Sequence, residues 1–107
     1  MEAKAIARNQ RISPRKVAQV LNTIRGKSVN DAMNKLSFMT KSAKKVVEKT
    51  LFSAVSNAGK NVDVTHLKVK KAWVTEATHM KRIKAAAQGR AVTFRHRISH
   101  LTIVVGD

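Results

Sequence analysis

An α+β fold is predicted: one small domain of three helices packed on a small antiparallel three-stranded sheet, with a long basic β-hairpin protruding from it. Three observations predict it. Apolar residues recur at helical spacing in three stretches between residues 14 and 58. The period changes to two near His66 and again over Ser99 to Val105. Between those two strands, from Ala77 on, the chain is rich in cations, free of acids and poor in bulky apolar side chains.

Near the N-terminus Ala3, Ala5 and Ala7 alternate with Lys4, Ile6 and Arg8, which reads as a short strand. Ser13-Pro14 starts the first helix, because Ser supplies an N-cap oxygen and Pro at the first helical position forfeits no hydrogen bond. Val17, Val20, Leu21 and Ile24 then fall on one stripe with Arg15, Lys16, Gln19 and Asn22 outside it, and Gly26 ends the helix. Ser28 opens a second helix with Asp31 at capping-box spacing, and Ala32, Met33 and Leu36 give it an apolar face as far as about Phe38.

Thr40 is expected to open the longest helix. Ala43, Val46, Val47, Thr50, Leu51, Ala54, Val55 and Ala58 repeat at helical spacing before Gly59, so this helix supplies much of the core. Its other face carries Lys41, Lys44, Lys45 and Lys49, opposed only by Glu48. After a loop to Thr65, Leu67, Val69, Trp73 and Thr75 are assigned to one side of a strand, with Lys68, Lys70 and Val74 on the other. On that phase Trp73 is a core residue. In the last strand Leu101, Ile103 and Val105 alternate with His100, Thr102 and Val104, and both faces are apolar enough for a central position.

If these two strands pair antiparallel, the paired residue numbers add to about 174 and the turn falls near Ala87, where Gln88-Gly89 stands. Residues 76–98 then form an arm of about ten residues a side, reaching roughly 33 Å. An isolated two-stranded ribbon is marginally stable in water, so an arm of this composition calls for an anionic partner.

The charge points the same way. At 107 residues with a single Pro and no repeat, one domain over residues 1–107 is expected. Lys plus Arg number 22 against 6 acids, a formal charge of +16, yet 43% of residues are hydrophobic, so the charge sits on a chain that can fold. There is no Cys, hence no disulfide framework and no thiolate site. Met1 to Gln10 lacks the apolar centre of a secretory signal, and no uncharged apolar run is long enough to span a bilayer. A soluble cytoplasmic protein without a membrane partner is expected.

No catalytic constellation emerges. The six acids are at least thirteen positions apart. Asp31 is better explained as a helix N-terminal acid, and Glu48 as a partner for Lys44 or Lys45. His96 and His100 would share a metal on a helix, but on a strand they stand about 13 Å apart. No enzyme, metal or cofactor is expected.

The cations are the candidate site. Lys81, Arg82, Lys84, Arg90, Arg95 and Arg97 occupy the arm with no acid after Glu76, and Arg8, Arg11, Arg15 and Lys16 cluster where the first strand meets the first helix. With no Tyr, one Trp and three Phe, a stacking platform for single-stranded bases is poorly supplied, so backbone and shape recognition of folded RNA is favoured. A sequence-tolerant architectural DNA-binding protein is the alternative. No apolar stripe is left over for a dimer seam, so no obligate homo-oligomer is expected.

Several segments carry a resemblance: Ser13-Pro14-Arg15-Lys16-Val17, Ile24-Arg25-Gly26-Lys27, Met80-Lys81-Arg82-Ile83, Gly89-Arg90-Ala91 and Arg97-Ile98-Ser99-His100-Leu101-Thr102-Ile103-Val104-Val105. Over nearly its whole length the chain resembles the bacterial large-ribosomal-subunit protein family L twenty-two. The resemblance implies a structural constituent of the large subunit that binds its 23S rRNA, supports assembly and extends a hairpin lining the nascent-peptide exit tunnel. Its implied partners are large-subunit ribosomal RNA, neighbouring ribosomal proteins and the nascent polypeptide. The implied RNA-binding set adds Arg25, Lys27 and His100 to the cations above. Met80, Lys81, Arg82, Gln88, Gly89, Arg90 and Ala91 would line the tunnel. Family hairpins often carry Gly-Pro before the Met-Lys-Arg element, where Ala77-Thr78 stands here.

Overall fold

A computed structural model describes residues 2–59, 64–77, 80–85, 91–96 and 98–107. Strand β1 (Glu2–Gln10) is followed by helices α1 (Pro14–Ile24), α2 (Val29–Ser37) and α3 (Lys44–Ala58). A single 3-10 turn (Val64–His66) then leads into β2 (Lys68–Glu76), β3 (Met80–Ala85), β4 (Ala91–His96) and β5 (Ser99–Gly106).

Helix α1 forms where the stripe predicts, and Val17, Val20, Leu21 and Ile24 are all buried. Its start differs in one detail. The Ser13 side chain makes no capping bond; its carbonyl instead accepts from Lys16 and Val17 at 3.1 and 3.2 Å. At the other end Gly26 takes φ +77°, a left-handed conformation open to glycine, and its N–H donates to the Val69 carbonyl at 2.9 Å. In α2 the Ser28 hydroxyl accepts from the Asp31 N–H at 3.2 Å, the contact its spacing predicts.

Helix α3 begins at Lys44, not Thr40. The chain instead turns at Lys41, whose carbonyl accepts from Lys44 at 3.2 Å, and the buried Ala43 ties the helix start to the core. The opposite face of α1 to α3 is solvated, and their apolar faces enclose Val47, Leu51, Ala54 and Leu36 with the inner face of the sheet.

The sheet order is β1-β5-β2, antiparallel throughout, so the apolar last strand is central as expected. Ala5, Ala72, Leu101, Ile103 and Val105 face the helices. Small Ala side chains on β1 let α3 approach, and Asn57 Nδ2 donates to the Lys4 carbonyl at 2.9 Å.

The phase of β2 differs from the alternation expected. Lys68 and Val69 pair with Gly106 and Val105, on the predicted register, but Lys71 pairs with Val104, so one extra residue enters at Lys70. This bulge reverses every later side chain. Ala72 turns into the core, and Trp73 turns out with 43% of its surface exposed. The assignment of Trp73 to the core is therefore corrected: strict alternation cannot register an inserted residue.

Beyond this sheet the Ala77 N–H donates to the Ile98 carbonyl at 2.8 Å. A second, two-stranded sheet then pairs Met80 with His96 through to Ala85 with Ala91. The predicted turn at Gln88-Gly89 lies outside the described residues. The molecule measures 62 × 24 × 18 Å along its principal axes.

Candidate nucleic-acid interface

The basic residues fall into separate groups. Arg8 stands on β1, Arg11 in the turn after it, and Arg15 and Lys16 in the first turn of α1; all four are exposed, in one short stretch between strand and helix. Asn9 in this stretch has φ +55°, and its N–H donates to Nδ1 of His100 at 3.1 Å. A ring nitrogen that accepts carries no proton, so the remaining N–H of neutral His100 is on Nε2. That bond brings the N-terminal cluster beside β5.

Arg25 is turned toward the protein. Its Nε donates to the Ala72 carbonyl at 2.8 Å, and Nη1 donates to Asn22 Oδ1. Lys27 is half-buried, and its carbonyl accepts from the Val69 N–H at 2.8 Å. Across the start of α2 it meets Lys35, which sequence reasoning did not single out. Side-chain contact with the Lys27 amine, and then its charge, hold the Lys35 ammonium below its ordinary pKa. Spacing gave no signal for this pair, because Lys27 precedes the helix on which Lys35 stands.

In the hairpin, register sets Lys81 opposite Arg95, Arg82 opposite Phe94 and Lys84 opposite Val92, with Met80 and Ala91 at the two ends of the ladder. Like charges directly opposite each other are unfavourable without a counter-charge. Gln88, Gly89, Arg90 and Arg97 lie outside the described residues.

A further surface was missed by sequence reasoning. On the side of the sheet away from the helices, Ile6, Thr102 and Trp73 form one cross-strand row, and Lys4, Val104 and Lys71 form the next. Ile6 and Trp73 are each 43% exposed, whereas Thr102 and Val104 are each 7% exposed. The side chains of the outer strands thus cover the central one. Only the bulge at Lys70 creates this row, and two adjacent lysines gave no sign of it.

Among the described residues, no group of three or more His, Cys, Asp or Glu could hold a metal ion, and no helix is long and apolar enough to cross a membrane.

Comparison with known proteins gives one answer. The proteins named Large ribosomal subunit protein uL22 of Endomicrobium trichonymphae and Macrococcus caseolyticus are each 50% identical to the whole chain, over 93% and 88% of their own lengths. That of Desulfitobacterium hafniense is 53% identical over 97% of the chain and 93% of its own length. The profile of the family described as Ribosomal protein L22p/L17e matches residues 5–106. By sequence over almost its full length, the chain belongs to the Ribosomal protein L22p/L17e family.

Proposed function

We propose that the protein binds large-subunit ribosomal RNA through its basic groups, supports assembly of the subunit, and lines the nascent-peptide exit tunnel with its β3–β4 hairpin. As a member of its family it is a structural constituent of the large ribosomal subunit, not an enzyme, with ribosomal RNA and other ribosomal proteins as partners. In this reading Arg8, Arg11, Arg15 and Lys16 meet phosphates at the globular domain. Lys81, Arg82, Lys84, Arg90, Arg95 and Arg97 meet them along the arm, and residues 88–91 with Met80 border the growing polypeptide. The protein works in the cytoplasm as a single copy within the subunit.

The observation that carries this reading is the ladder of β3 with β4, which opposes Lys81 to Arg95 on a two-stranded ribbon. Such a ribbon has little to bury, and its repulsion is relieved by an anionic surround. Ultraviolet crosslinking in cells, with the attached nucleic acid sequenced and the attached residues mapped by mass spectrometry, tests it. Crosslinks from residues 80–96 at a few sites in large-subunit rRNA are expected. Crosslinks scattered over DNA or many RNAs would overturn the reading in favour of an architectural DNA-binding protein.

A further inference from the structure

We infer that the outer face of the three-stranded sheet is a stacking site for an unpaired nucleotide of RNA, with Trp73 as its platform and Lys4, Lys71 and Arg8 holding the adjoining phosphates. The inference rests on the RNA-binding reading above and adds a contact mode and a residue to it.

Trp73 is the only Trp of the chain, and a core protein with few aromatics would be expected to bury it. The bulge at Lys70 does the opposite: it places Ala72 inside and leaves Trp73 43% exposed in a row with Ile6 and the nearly covered Thr102. The result is an apolar floor on a pleated sheet, open on one side. Cations frame it. Lys4 and Lys71 flank Val104 in the next row, and Arg8 follows Ile6 by two positions along β1; all three are exposed. Of the acids, Glu2 shares the β1 face, and its carboxylate lies 3.9 Å from Lys70 Nζ, so its charge is already opposed.

An exposed aromatic ring inside a cationic frame fits a nucleotide, whose base offers a π-face and whose phosphates offer the charge. A base inside a duplex is already stacked and shows only its edges, so the occupant is an unpaired nucleotide. An acidic protein segment would satisfy the cations but leave the ring without a flat partner.

The test uses the full chain, in which, without Tyr, emission excited in the indole band comes from Trp73 alone. Titration with an oligoadenylate of about twelve nucleotides should quench this emission, and an RNA duplex of equal length should quench it much less. Labelled-oligoadenylate anisotropy should show Trp73→Leu losing affinity about fivefold or more, while Trp73→Phe stays near the parent. Both variants keep an apolar side chain over Thr102, and circular dichroism checks that they fold. Equal quenching by duplex, or Trp73→Leu binding as the parent does, overturns the inference. Binding of a large-subunit rRNA transcript is measured alongside. If that persists while the Trp73 readouts fail, stacking falls and the RNA-binding reading stands; if the parent does not bind the transcript, that reading falls with it.

Discussion

Arg25 Nε donates to the carbonyl of Ala72 across 2.8 Å, joining the end of α1 to the strand that carries Trp73. The residue is a cation in a protein that binds polyanions, yet part of its guanidinium is spent on the fold. Arg25→Met should therefore lower stability by about 1–2 kcal/mol in urea denaturation and leave the salt dependence of RNA binding unchanged. A shallower salt slope would show Arg25 meeting phosphate instead.

Replacing Lys81, Arg82 and Arg90 together by Gln should weaken RNA binding and reduce its logarithmic salt slope by up to about three phosphate contacts. Filter binding over a salt series measures this. An unchanged slope means that these side chains do not meet phosphate.

Leu51, on the face of α3 turned to the sheet, is fully buried. Leu51→Ala should cost about 2–5 kcal/mol of unfolding free energy, read as a lower urea midpoint at constant slope. A cost under about 1 kcal/mol would mean that the core closes over the gap.

Deleting Lys70 removes the inserted residue and leaves Lys71, Ala72 and Trp73 opposite Val104, Ile103 and Thr102, with Ala72 still inside and Trp73 still outside. Trp73 emission should therefore keep its exposed wavelength, and urea denaturation should show a loss of no more than about 1 kcal/mol. Blue-shifted emission with a large loss of stability would show that the bulge, and not the pairing that follows it, keeps Trp73 outside.

Lys27→Gln should raise the pKa of Lys35 toward the ordinary lysine value, because contact with Lys27 is what lowers it. The sign is set by charge: both amines repel when protonated, below the Lys35 midpoint, and the repulsion fades as pH rises through it. Nuclear magnetic resonance of the Lys35 side chain measures the midpoint. No upward movement would remove Lys27 as the cause.

The parts of this fold legible in the sequence are those where one periodicity runs unbroken. Val17 to Ile24 make α1 readable, and Leu101, Ile103 and Val105 make β5 readable, because each stripe ends at a glycine. Thr40 was misleading as a helix start, since a cap needs a first turn that will form behind it, and Lys41-Ser42 supplies none. The reversal in β2 was hidden because Lys70 and Lys71 are both solvated, and an inserted residue leaves no mark among polar neighbours. The basic groups were legible as composition. The Lys27–Lys35 contact and the Trp73 row were not, since both join elements that sequence spacing does not relate.

Strand β5 lies between β1 and β2, which do not pair with each other. Of the five strands among the described residues it is also the last in sequence, so during synthesis the two outer strands wait for the one that joins them. Until it arrives, helices α1 to α3 have no finished sheet to close against, and both outer strands present open backbone edges. A chain of charge +16 is guarded in that interval by its own repulsion, which keeps copies apart while the sheet is incomplete. The charge to which the proposed function assigns RNA binding thus also protects the unfinished protein from aggregation.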